Sequence, residues 1–90
     1  MKFEWDENKN EKNIEKHGID FHDAEEIFTN SMLVKEDKRR DYGEKRYIAL
    51  GLLRKFVVVV VYTIRVAVIR IIPIQKANKK ERNTYYERFQ

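Results

Sequence analysis

Ninety residues, 42% of them hydrophobic, describe one domain spanning 1–90, large enough for a single core and too short for two. Lys and Arg number 19 against 15 Asp and Glu, a formal charge of +4, and the 38% charged fraction exceeds the roughly 25% of an average globular chain. Zero Cys excludes a disulfide scaffold, a Cys-ligated zinc site, an iron–sulfur cluster and a thiol nucleophile. The opening MKFEWDENKN carries no apolar signal core, and the longest apolar run, Phe56 to Tyr62, is far short of the ~20 residues of a membrane helix. A soluble, cytoplasmic protein without a membrane partner is expected.

Phe3-Glu4-Trp5 alternates apolar and polar residues and predicts a short first strand. Asp6 is an N-cap, Glu7 adds negative charge at the dipole-positive end of the first helix, and Lys16 and His17 fill its last turn before Gly18, the left-handed stop. Ile14 is the only large apolar residue of this helix, which is therefore expected to lean on Trp5 and the rest of the domain. Asp20 caps a second helix, with Asp23 where a capping box would reach back. Phe21, Ala24, Ile27 and Phe28 form its apolar stripe, which ends near Asn30.

From Met32 the period changes to two. A strand is expected over Met32 to Lys35, an exposed charged loop over Glu36 to Glu44, and strands over Tyr47 to Leu53, Lys55 to Thr63 and Val68 to Gln75. Phe56 to Tyr62 is apolar on both faces, the mark of a central strand covered on both sides. Pro73 cannot donate to a ladder, so the end of the last strand belongs at an edge or a bulge. Asn78 caps a terminal helix from Lys79 to about Arg88. The order predicts the α+β class: an antiparallel sheet of about four to five strands, two N-terminal helices and one C-terminal helix.

Charge is divided along the chain. Residues 1–30 hold four Lys and nine acidic side chains, whereas residues 31–90 hold 15 basic and six acidic ones, which offers a basic surface to an anionic partner. His17 and His22 lack metal-ligand spacing, the three glycines form no phosphate cradle, and Ser31 is the only serine, so neither a metal nor a cofactor is expected. What remains is basic and aromatic: Arg46, Arg65, Arg70, Lys76, then Lys79, Lys80 and Arg82 with Tyr85 and Tyr86 one turn on. Strict alternation puts Arg70 among apolar neighbours, where a guanidinium needs a carboxylate, backbone carbonyls or a phosphate. It also puts Gln75 opposite to Arg70 unless a bulge at Pro73 resets the phase. Such residues permit RNA cleavage without a metal, in which the 2′-hydroxyl is activated, the phosphate neutralised and the leaving oxygen protonated.

Phe3, Trp5 and Asp6, then Lys9, Asn13, Lys16, His17 and Gly18, then Ile19, Phe21, Ala24 and Phe28 reproduce a specific N-terminal pattern. With Glu44, Arg46, Gly51, the Val-rich strand, Tyr62-Thr63, Arg65, Ile69 to Ile72, Ala77 and Lys80-Glu81-Arg82, the chain resembles the BrnT family of type II toxins. The resemblance implies a RelE-like ribonuclease fold, cleavage of RNA, neutralisation by a BrnA-type antitoxin, and contact with DNA only indirectly, through the antitoxin complex. It departs after Ile72, where the family continues Ser-Ala-Arg and this chain has Pro73-Ile74-Gln75. The apolar turn Ile64 to Ala67 replaces a polar, Gly-containing one.

On this reading the chain is a toxin-type endoribonuclease. Arg46 and Arg70 act on the phosphate, Lys76 stands in for the missing Arg and Glu81 is a candidate proton acceptor. Lys79, Lys80, Arg82 and Tyr85 guide the RNA. The alternative is a module that binds an antitoxin or nucleic acid without cleaving RNA.

Overall fold

The computed structural model describes residues 1–89. The chain runs through β1 (Lys2–Glu4), α1 (Glu7–His17), a 3₁₀ turn (Phe21–Asp23) leading into α2 (Ala24–Thr29), β2 (Leu33–Asp37), β3 (Arg46–Leu53), β4 (Phe56–Arg65), β5 (Val68–Lys76) and α3 (Lys79–Arg88). The sheet order is β1-β5-β4-β3-β2. β2 to β5 form an antiparallel meander, but β1 lies parallel to β5, so the sheet is mixed rather than antiparallel throughout. The helical segment between β1 and β2 carries the chain from one edge of the sheet to the other.

β4 is central and covered on both faces, as its unbroken apolar run demands. Val58, Val60 and Tyr62 face the core built by Phe21, Ala24 and Ile27 with Ile71 and Ile74. Val57 and Val59 face a second core with Ala77 and Tyr85 of the α3 region. Each fully buried Val, Ile or Phe side chain among them contributes about 1.5–3 kcal/mol of transfer free energy. On the first face α2 presses against β3 at Gly51, where a Cβ would come within 2.8 Å of Ile27 Cγ2; only glycine admits that approach without displacing the helix.

α1 docks differently from the sequence expectation. Ile14 is 40% exposed, and the buried residues of the helix are Asn10 and Asn13. Asn10 donates to Asp20 Oδ1 at 3.0 Å and accepts from the Phe21 amide at 2.8 Å. Asn13 Nδ2 donates to Ile19 O and Ile74 O, both at 2.9 Å, while its Oδ1 accepts from Ile74 N at 3.2 Å. The side-chain amide thus pairs with β5 as a neighbouring strand would, beyond Arg70, where the register with β1 ends. Trp5 meets Phe21 and His22 edge-on.

β5 is bulged at Pro73. Tyr62 pairs with Ile71 and Val60 with Ile74, so Ile72 and Pro73 stand opposite the single Val61. The bulge absorbs the missing proline N–H inside an interior strand. It also inverts the phase of the residues beyond it. Gln75 pairs with Val59 and so shares the α3-side face with Arg70, which pairs with Thr63. Lys76 pairs with Val58, on the opposite face.

Several boundaries differ from the sequence reading, among them the end of β4, which takes in Ile64 and Arg65 from the expected turn. β2 extends to Asp37, so Glu36 and Asp37 belong to a strand rather than an exposed loop, and Asp37 is 5% exposed. The β4–β5 turn places Val66 at φ 48° and Ala67 at φ 67°, left-handed positions that hairpins usually fill with Asn-Gly.

Replacing Asn13 by Ala removes three hydrogen bonds and leaves the Ile74 backbone without this partner, an expected loss of about 2–4 kcal/mol in urea denaturation. The exposed Ile14→Lys change on the same helix is expected to fall within about 0.5 kcal/mol of the parent.

Candidate nucleic-acid interface

The site is organised from a buried carboxylate outward. The Asp37 side chain, 1% exposed, accepts from Arg39 Nε and Nη2, each at 2.8 Å, and from the Tyr42 hydroxyl at 3.2 Å. The Arg39 side-chain hydrogen bonds hold the Asp37 carboxyl far below the usual carboxylate range, and Asp37 in turn raises Arg39. This bidentate pair pins the loop between β2 and β3. Tyr42 then offers its ring to the Arg46 guanidinium, with Cζ 3.9 Å from the centroid, a contact worth about 0.5–1 kcal/mol.

Arg46 opens β3 at the step next to the Tyr47–Tyr62 pair, alongside Thr63 of β4, and Thr63 pairs with Arg70 of β5. Three adjacent strands therefore contribute Arg46, Thr63 and Arg70 in a row across the α3-side face, beyond the part that α3 covers. Thr63 is 1% exposed. Its Oγ1 and the Nε of Arg46 are both buried and have no hydrogen-bond partner among the described residues. Buried polar atoms are almost always paired, so these two orphans on neighbouring strands set the row apart from the rest of the sheet.

Carboxylates flank the row. Arg70 Nη1 donates to Glu4 Oε2 at 2.9 Å, and Arg65 donates to Glu44 at 2.8 and 3.2 Å. Arg65, with smaller contributions from Arg46 and Arg70, lowers the Glu44 carboxyl below its ordinary range, so Glu44 is ionised at neutral pH. These contacts are half open to solvent and exchangeable: the Arg65 and Glu44 side chains are 49% and 36% exposed. Within the row Arg70 is oriented by the Glu4 carboxylate and Arg46 by the Tyr42 ring.

Of the residues singled out in the sequence, Arg46 and Arg70 come together. Lys76 does not join them; its ammonium lies 4.9 Å from the Phe56 ring on the other face, because the bulge turned the strand. Glu81 accepts from the Asn78 amide at 2.8 Å as half of a capping box, which gives its carboxylate a structural task. Tyr85 is 4% exposed and donates to Ser31 O at 2.8 Å, so it packs and cannot stack on a base. Lys79 and Lys80 are exposed on the first turn of α3, and Arg82 Nη1 donates to Ala77 O at 3.1 Å. Sequence reasoning gave no role to Asp37 or Tyr42, and it passed over Glu44 and Thr63 as mere motif positions. For Thr63 a signal existed, a lone hydroxyl closing an apolar strand. For Asp37 none did, since its carboxylate lies in a run of charges.

Residues 5–81 match the profile of a family described as the ribonuclease toxin, BrnT, of type II toxin–antitoxin systems. The chain belongs to the BrnT family. No curated protein matches the sequence significantly. The matched span contains Tyr42, Glu44, Arg46, Thr63, Arg65 and Arg70, together with the Pro73 bulge, and it ends at the capping-box residue Glu81. Among the described residues no three His, Asp or Glu side chains cluster as they would around a metal ion, and no helix is long and apolar enough to cross a membrane.

With Gln75 on the arginine face, Gln75→Arg is expected to tighten binding of a non-cleavable 2′-O-methyl RNA and to steepen its salt dependence by about one phosphate contact, a log–log slope change near 0.7. Lys76→Gln, on the far face, is expected to leave both within about twofold. Salt titrations of the two variants read the difference.

Proposed function

We propose that this BrnT-family chain is a metal-independent endoribonuclease with a RelE-like fold. Its phosphate site is the row Arg46–Thr63–Arg70, and a BrnA-type antitoxin neutralises it in the cytoplasm. DNA is reached only through the antitoxin complex. The observation that carries this reading is the pair of buried orphan donors, Arg46 Nε and Thr63 Oγ1, beside a second guanidinium. They can supply a phosphoryl oxygen with the hydrogen bonds and positive charge that its transition state needs.

In this mechanism Arg46, Thr63 and Arg70 hold the scissile phosphate. Glu44, kept ionised by Arg65, accepts the proton of the 2′-hydroxyl. The 2′-oxygen then attacks phosphorus, the bond to the 5′-oxygen breaks, and that oxygen takes a proton from solvent. The products are a 2′,3′-cyclic phosphate and a 5′-hydroxyl. A lowered carboxyl is a weak base, which makes neutralisation of the phosphate the larger share of the rate. Tyr42 keeps the Arg46 guanidinium in place and Asp37 keeps Tyr42, so both act as positioning residues.

A second reading, binding without cleavage, is favoured by one feature: Arg65 and Arg70 already carry carboxylate partners, while residue 75 is a neutral Gln. Purified chain incubated with single-stranded RNA in EDTA decides between them. Cleavage is expected to persist in EDTA, and Arg46→Ala with Arg70→Ala is expected to lower it about a thousandfold or more, since each charged contact to the transition state is worth about 2–4 kcal/mol. Cleavage abolished by EDTA, or indifferent to both substitutions, contradicts the mechanism. Folded wild-type chain that binds the RNA but cleaves none of it establishes the second reading.

A further inference from the structure

Between α3 and the edge strand β2 lies a groove of about 530 Å³, on the same side of the sheet as the arginine row. The register fixes its floor: Leu33 pairs with Leu50, and both, with Ile48, point toward α3. Its walls carry Lys35 from β2, and Lys80 and Thr84 from α3. Lys35 and Lys80 are exposed and make no ion pair among the described residues. Glu81 also lines the groove, but its carboxylate is engaged in the capping box with Asn78. The groove is thus an apolar trough with two unpaired cations on its walls and one carboxylate, Glu81, held back against the Asn78 amide. Along β3 its floor continues from Ile48 to Arg46, two residues nearer the phosphate row.

We propose that this groove is the docking site for an acidic, amphipathic segment of a protein partner. Its apolar side chains lie on Leu33, Ile48 and Leu50, its carboxylates face Lys35 and Lys80, and its end reaches Arg46. The occupant follows from charge complementarity. An apolar floor alone accepts any hydrophobic segment, whereas free ammonium groups on both walls, with the one lining carboxylate engaged elsewhere, select an anionic one. A floor of aliphatic side chains without an aromatic platform favours a peptide over the stacked bases of single-stranded RNA. The partner's effect on activity rests on the functional reading above, because a carboxylate at Arg46 occupies the place proposed for the scissile phosphate.

The test uses the whole chain and needs no identified partner. Short random peptides displayed on phage are selected on the wild-type chain, and the selected sequences are synthesised and titrated. The expected winners are acidic and amphipathic. Lys35→Glu, which reverses one wall, and Thr84→Trp, which fills the groove from an exposed position on α3, are each expected to weaken them by about tenfold or more. Circular dichroism checks that both variants keep the fold. Selected peptides that are basic or uncharged, or that bind both variants as well as wild type, overturn the proposal. So does a groove whose Thr84→Trp variant loses single-stranded RNA while keeping the peptides. Peptide affinity is read separately from cleavage. A chain that binds acidic peptides here but cleaves no RNA keeps the groove and refutes the nuclease reading, and a nuclease that selects no such peptide does the reverse.

Discussion

The amide of Asn13, bonded to both backbone groups of Ile74, is the contact on which the functional face depends. β5 carries two phases of alternation separated by the bulge at Ile72-Pro73. The first phase turns Arg70 toward the α3 side, and the second turns Ile74 into the larger core and Gln75 toward the α3 side again. Nothing in a bulge by itself fixes its position, since an extra residue can migrate along a ladder wherever the partner strand tolerates it. Proline removes one donor, and Asn13 satisfies the donor and acceptor of the next residue. Together they restrict the extra residue to one place. Asn13 also bonds Ile19 O, so the same side chain ties α1, the turn after it and β5 into one unit.

A second chain of contacts positions the charge. Asp37 holds Arg39 and Tyr42, and the Tyr42 ring holds Arg46. The buried carboxylate thus organises a guanidinium to which it makes no hydrogen bond, although the two residues face each other across β2 and β3. Arg65 and Arg70 have carboxylate partners with exposed side chains, which keeps their side chains extended at modest cost, because such pairs exchange readily for another anion. Arg46 lacks an ion pair among the described residues and presents a buried Nε instead. The row and the neighbouring Arg65 therefore combine two cations paired with carboxylates and one, Arg46, without an ion pair, beside a buried hydroxyl.

Much of the architecture was legible because it rests on local rules. The Asp6 cap, the Gly18 stop, the Asn78 cap and the doubly buried β4 each follow from residue type and period. The capping of α3 was legible in Asn78, but its partner went unread. Glu81 reads from the sequence as a surface carboxylate or a proton acceptor, although an Asn78 cap already puts it at N3, where a capping box reaches back. The misplacement of Lys76 has a different origin: strict alternation is right on each side of Pro73 and wrong across it. Asn10 and Asn13 escaped because buried asparagines look like surface residues in a polar helix, and the backbone groups they satisfy belong to distant segments. Asp37 escaped for the same reason, its burial being set by the pairing of β2 with β3 and by the returning Arg39. Hydrogen bonds to other segments hid Asn10 and Asn13, local contacts with Arg39 and Tyr42 hid Asp37, and the bulge hid the face of Lys76.

Side-chain NMR of the whole chain, titrated with a non-cleavable 2′-O-methyl oligonucleotide, tests most directly whether the bulge presents one anion-binding face. The Arg46 and Arg70 Nε–H signals, the Thr63 methyl and the Gln75 amide are expected to shift together at one binding constant, while the Lys76 side chain and the Phe56 ring stay fixed. Shifts centred on Lys76 and Phe56, or a Thr63 methyl that does not move at saturation, would contradict it.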